Sequence, residues 1–190
     1  MPIQTGERPP AGKIILTYDD YAAIPSDRNR YEILEGDLFV THAPTSQHQR
    51  VSRNLQFAIH QFTKQHALGE VFAAPIDLIL EATTVAQPDL VFVSCARWSI
   101  VTPRGIEGQP DLVVEILSPA TVPTDRTTKA RVYARYRIPH YWIADPAERV
   151  LEAYELSGDV YRLAARAIGA SDFSPALFPG LTIPLADIWV

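Results

Sequence analysis

The chain contains a single cysteine, Cys95, in 190 residues. That excludes an intrachain disulfide framework and a thiolate zinc cluster, and it fits a reducing, cytoplasmic compartment. No run approaches the ~18 consecutive apolar residues that a membrane helix needs. The opening Met1-Pro2-Ile3-Gln4-Thr5-Gly6-Glu7 lacks the basic-then-apolar build of a signal peptide. An excess of positive charge is missing too, since 17 Lys and Arg against 22 Asp and Glu give a net charge of −5. Such a chain has no overall field that attracts a polyanion, so a nucleic-acid partner has to be held by a local patch. Internal repeats and low-complexity linkers are absent. What is present is ordinary globular material, 47% hydrophobic and 21% charged, of a length that suits one domain.

Residues 1–13 hold three prolines and two glycines without an apolar period, and read as a flexible N-terminal arm ahead of a single domain over 14–190. Two short β-prone runs, Tyr31 to Glu35 and Leu38 to Thr41, flank Gly36-Asp37 and predict a hairpin. A helix follows, with Ser46 and Gln49 as a capping-box signature and Val51, Leu55, Ala58 and Phe62 as its buried stripe. His48 falls on that stripe at the helix entrance. Short runs rich in Val, Ile, Leu and Phe then predict strands near 70–74, 77–81, 89–93 and 111–117. A second helix between Pro123 and Pro139 carries Asp125, Lys129, Val132, Tyr133 and Tyr136 on one face, with Arg131 and Arg135 opposite. Strand-like runs recur at 140–144, 149–156 and 160–164, and the apolar, punctuated tail from Phe178 to Pro184 is expected over one end of the sheet. The fold class is α/β, with a mixed central sheet flanked by helices and an N-terminal β-hairpin.

Three acidic residues interrupt the apolar strand runs: Asp89, Asp111 and Glu115. A carboxylate flanked by Val, Leu and Ile is costly to bury unless it is paired or binds a cation. Asp111 and Glu115 share a face but stand roughly 13 Å apart at about 3.3 Å per residue, too far to share one ion. Asp89 starts its strand and Glu115 lies late in its own, so antiparallel pairing brings the two to about 5 Å. Two such carboxylates suit a hard cation, Mg²⁺ or Mn²⁺, and an inward Lys129 is the cation from the protein. Asp77 is set aside, because an antiparallel hairpin from 77–81 to 89–93 carries it away from Asp89. Arg126, Arg131 and Arg135 belong to a basic run with no acid before Asp145, which suits phosphate contact or a solvated helix face.

An Asp at a strand start, a Glu in the next strand and a nearby Lys resemble the PD-(D/E)XK nuclease superfamily. The sequence more closely resembles the Uma family of restriction-endonuclease-like proteins. The matching stretches are Arg30 to Gly36, His48, Gln87 to Val93, Pro110 to Thr121, Asp125 with Lys129 and Tyr133, and Tyr141 to Pro146. The resemblance implies a restriction-endonuclease-like core and Mg²⁺- or Mn²⁺-dependent cleavage of DNA, by a protein that lies on no membrane and can act as a homodimer. In it Asp89 and Glu115 match the metal carboxylates and Glu32 a third acidic position, with His48 and Asp125 as accessory residues. The superfamily lysine normally stands two residues after the Glu, where this chain has Leu117; the resemblance moves that role to Lys129. Two other classes remain. A catalytically inactive nucleic-acid- or protein-binding module would pair its carboxylates off, and a glycosidase would need two carboxyls across a cleft.

Overall fold

The computed structural model describes residues 14–25, 27 and 29–190, so the expected arm over 1–13 lies outside the described residues. After a short helix α1 (Tyr18–Ala22), strands β1 (Arg30–Leu34) and β2 (Asp37–Thr41) form the expected hairpin. Its turn lies one residue earlier than the sequence suggests. Glu35 and Gly36 both have positive φ, 54° and 85°, the two-residue geometry that matches strand twist, and Asp37 already pairs with Leu34.

Helix α2 (Ser46–Gln65) is capped by Thr45, not Ser46. Thr45 is still extended, and its side chain accepts from the His48 backbone N–H, so the first helical residue comes after it. The buried stripe is His48, Val51, Leu55, Ile59 and Thr63. Ala58 and Phe62, expected on the stripe, lie only partly buried at its margin.

Next come β3 (Gly69–Ala73), β4 (Leu78–Glu81), β5 (Thr84–Ala86), β6 (Leu90–Ser94), β7 (Val101–Thr102), β8 (Gly105–Glu107) and β9 (Leu112–Ile116). A π-helical turn, Thr124–Lys129, runs into α3 (Ala130–Arg135). The chain ends with β10 (His140–Asp145), β11 (Val150–Ser157), β12 (Val160–Ile168), β13 (Asp172–Phe173), β14 (Ile183–Pro184) and α4 (Leu185–Ile188).

The central sheet has the order β12-β11-β10-β9-β6-β3 and is mixed, with β9 and β10 parallel and the other pairs antiparallel. A second six-stranded sheet, β2-β1-β5-β4-β8-β7, was not expected. It arises because β4 turns back on β5, with Leu78 opposite Ala86, rather than on residues 89–93. The N-terminal hairpin then joins it through β5.

Strand alternation divides the core in two. Leu90, Phe92, Leu112, Val114, Ile116 and Trp142 pack with α2 on one side of the central sheet. Val91, Val93, Val113, Leu117, Tyr141 and Ile143 pack on the other with Leu34, Leu78 and Ile106 of the second sheet and Val132 and Tyr133 of α3. Cover on both faces explains why these strands are apolar throughout. The tail covers a face, not an end: Phe173, Phe178, Leu181 and Ile183 complete the α2 side, and the Phe178 ring meets Phe92 edge-on at 5.0 Å. Among the described residues no helix is long and apolar enough to cross a membrane.

Candidate active site

Register brings the key acids together. Strands β6 and β9 pair antiparallel with Leu90 opposite Val114 and Val91 opposite Val113. One step further sets Asp89 opposite Glu115, on the side of the sheet that carries Val91 and Val113. Asp89 accepts from the Ile116 backbone N–H at 2.8 Å and from Arg30 Nη1 at 3.0 Å, and His48 Nε2 lies 3.1 Å from its second oxygen. A carboxylate only accepts, so His48 carries its proton on Nε2 in this contact. Burial raises the Asp89 carboxyl, but the His48 hydrogen bond and the Arg30 charge outweigh it and bring the group down to about 2.

Glu115 sits among more acids. Lys129 Nζ is 3.0 Å from Glu115 Oε1, 3.0 Å from Glu32 Oε1 and 3.5 Å from Asp125 Oδ1. The Tyr133 hydroxyl donates to Glu115 Oε1 at 2.8 Å, and the Gln87 backbone N–H donates to Glu32 at 2.8 Å. Glu32 therefore points inward and is buried, whereas an alternating hairpin permits an outward Glu. Asp125 and Lys129 are four apart on a π turn, an uncommon geometry that recurs at functional sites. Burial pushes Glu115 up to about 8; Lys129 opposes this, while Asp125, Asp89 and Glu32 reinforce it. Burial lowers the affinity of Lys129 for its proton, yet the surrounding carboxylates raise it further, so Lys129 is a fixed cation. The two shifts pull against each other. Lys129 holds its proton because its neighbours are charged, and those neighbours repel charge on Glu115. The excess proton is best assigned to the carboxyl cluster, with Lys129 ionised throughout.

Four buried carboxylates, Glu32, Asp89, Glu115 and Asp125, thus face two permanent cations, Lys129 and Arg30. Two negative charges are unmatched when all four acids ionise, the charge of one divalent ion. Among the described residues no three His, Cys, Asp or Glu side chains are grouped so as to hold a metal ion. The donor set fits instead a hard cation that takes one or two carboxylates and keeps its waters. The cluster opens into a cavity of about 260 Å³ whose walls include the β2–α2 loop at Thr41 to Thr45 and the loop after β9 at Ser118 to Thr121.

Other sequence-selected residues lie elsewhere. Asp111 accepts from the Ser94 backbone N–H at 2.7 Å and meets Arg97 at 3.1 Å, at the opposite end of β9. Asp77 accepts from Tyr21 and Gln87. Arg126 pairs with Glu152 at 2.7 Å, and Arg131 and Arg135 both pair with Glu35 at 2.7 Å; phosphate contact would have to displace these carboxylates. Arg30 joins the site although no sequence pattern of its own marks it. Its signal was its position two residues before Glu32 on one strand, which places both side chains on one face.

A family model described as Uma2, "Putative restriction endonuclease", matches residues 18–186. Among solved structures, the crystal structure of a "putative nuclease belonging to DUF820" from Anabaena variabilis ATCC 29413 aligns with a TM-score of 0.73 at 18% identity, over 92% of this chain and 97% of that one. At that identity the likeness is one of fold. A search of curated proteins gave no match.

Proposed function

The chain belongs to the Uma2 family, and from that premise we propose that it is a divalent-metal-dependent endonuclease that hydrolyses DNA phosphodiester bonds. The observation that carries this reading is the convergence of Asp89 and Glu115 from adjacent strands, with the Lys129 ammonium 3.0 Å from Glu115. Asp89 and Glu115 would hold Mg²⁺ or Mn²⁺, which when bound supplies water activation and charge stabilisation at the phosphoryl oxygen.

The protein's own groups have separable parts. Asp89 is kept ionised by His48 and Arg30, ready as a ligand at neutral pH. Tyr133 and Lys129 fix the Glu115 carboxyl from two directions. Because Lys129 stays protonated, it acts as a positive charge that orients water and opposes charge building on the phosphate, not as a base. Glu32 and Asp125 hold Lys129 in place. Thr45 caps the helix that presents His48.

One observation favours the catalytically inactive binding module: Lys129 already neutralises part of the acidic cluster without any metal. The experiment that separates the two readings is cleavage of a DNA panel with Mg²⁺ or Mn²⁺, alongside calorimetric titration of each ion. Wild type cleaves and binds, and Glu115→Gln abolishes cleavage while the protein stays folded. If wild type cleaves nothing and takes up neither ion, the binding module replaces the nuclease.

A further inference from the structure

Among the described residues, four buried side-chain atoms have no hydrogen-bond partner: Arg30 Nε, Arg30 Nη2, His48 Nδ1 and Asp125 Oδ1, the last of which still faces the Lys129 ammonium at 3.5 Å. All four belong to residues on the wall of the same cavity as Asp89, Glu115 and Lys129. Buried polar atoms are satisfied roughly nine times in ten or more, so orphans gathered at one place mark a site that a ligand completes.

Arg30 contributes half of them. Its Nη1 donates to Asp89 at 3.0 Å. Its Nε and Nη2, which together form the lateral edge of the guanidinium, donate to nothing. That edge offers two parallel N–H groups to a single oxyanion, the bidentate geometry of Arg with carboxylate or phosphate. Among the described residues no carboxylate takes it. Glu32, on the same strand face, accepts from Gln87 and Lys129, and Glu115 accepts from Lys129 and Tyr133.

We propose that the Nε/Nη2 edge of Arg30 is a subsite for a phosphate of the nucleic-acid backbone, seated beside Asp89. The identity of the anion as a phosphate rests on the nuclease reading; the lack of a protein acceptor at the edge does not. Arg30 then has two functions: Nη1 positions the Asp89 carboxylate, and the opposite edge registers the strand against it.

The test is binding of a fluorescein-labelled single-stranded oligonucleotide, by anisotropy in Ca²⁺ over a salt series, to wild type, Arg30→Lys and Arg30→Gln. Arg30→Lys keeps the charge but loses the fork, and binds about tenfold more weakly, ~1.4 kcal/mol, with an unchanged salt slope. Arg30→Gln binds more weakly still, and its slope is shallower by about 0.7, the value of one single-strand phosphate contact. A residue that only positions Asp89 would leave that slope alone. Thermal melts check folding, and if Arg30→Gln does not fold, Arg30→Lys decides. Affinity of Arg30→Lys within about twofold of wild type, an unchanged slope in Arg30→Gln, or no binding by wild type overturns the subsite. Wild type that binds through Arg30 yet never cleaves sinks the nuclease and leaves the subsite standing. Wild type that cleaves while both variants bind normally does the reverse.

Discussion

Replacing Glu115 by Gln removes one ionisation from the buried cluster and keeps its shape, since the amide oxygen can still accept from Lys129 and Tyr133. Burial pushes the folded-state carboxyl up to about 8 from its ordinary value of 4.5. A group raised on folding stabilises fully below its unfolded value, and that contribution is lost as pH rises through the folded one. Between those limits the native state holds the extra proton, so wild-type stability falls as pH climbs from about 5 to about 8. At ~1.4 kcal/mol per pH unit the whole shift is worth no more than roughly 5 kcal/mol, spread over the neighbours that titrate with it. Asp89 moves in the other direction but loses its contribution only below its ordinary value of 3.8, outside this window. His140 is lowered by burial and opposes the trend near neutrality, yet it is common to both proteins. Asp125 is raised by burial too and titrates alongside, so the difference between wild type and Glu115→Gln reports Glu115 together with its pull on that neighbour. Urea unfolding followed by the fluorescence of buried Trp142, repeated from pH 5 to pH 9, measures it. Wild type should be the more stable at pH 5 relative to Gln and lose that lead by pH 9. A wild-type curve that is flat with pH, or a Gln variant that reproduces the same slope, refutes the charge reasoning.

Lys129→Met leaves Glu32, Glu115 and Asp125 without their shared cation, so it should cost roughly 3–5 kcal/mol in denaturant unfolding and eliminate cleavage. Mg²⁺ or Mn²⁺ at about 100 times its Kd should add about 2.7 kcal/mol of stability at pH 8, and less at pH 6, where protonation of Glu115 competes; equal gains at the two pH values count against Glu115 as a ligand. Thr45→Ala should lose about 1 kcal/mol and slow cleavage through His48, read as a fall in both melting temperature and kcat. Arg131→Ala with Arg135→Ala should alter oligonucleotide affinity by less than about twofold, because both guanidiniums are committed to Glu35; a larger drop in anisotropy titration would restore the basic helix as a phosphate track.

The acids were legible because strand alternation and end-to-end pairing are strict. Once Pro88-Asp89 leads into one strand and Glu115 lies near the end of the strand that pairs with it, antiparallel register leaves them opposite one another. Lys129 was legible from helix periodicity, since it shares a face with Val132, Tyr133 and Tyr136. The second sheet was not. Strands β5, β7 and β8 have only two or three residues, too few for a period, and their pairing is decided by distant partners. The inward turn of Glu32 depends on that sheet, so its burial was hidden for the same reason. Arg30 was passed over because a lone arginine at a strand start has no pattern of its own; its meaning comes from Asp89, 59 residues away. The exchange of Ser46 for Thr45 as cap is a smaller miss, because both residue types serve and only backbone conformation distinguishes them.

Lys129 reaches Glu32 in one sheet and Glu115 in the other, and so it is a brace between layers as well as a participant in the proposed chemistry. In a lineage released from selection for cleavage, an acid can drift to its amide with the architecture intact, whereas loss of the lysine loosens the joint and leaves less of the protein folded. Decayed copies should keep this lysine long after the acids have changed. Its retention in a relative is then poor testimony to activity, and an intact Asp89–Glu115 pair is the better witness.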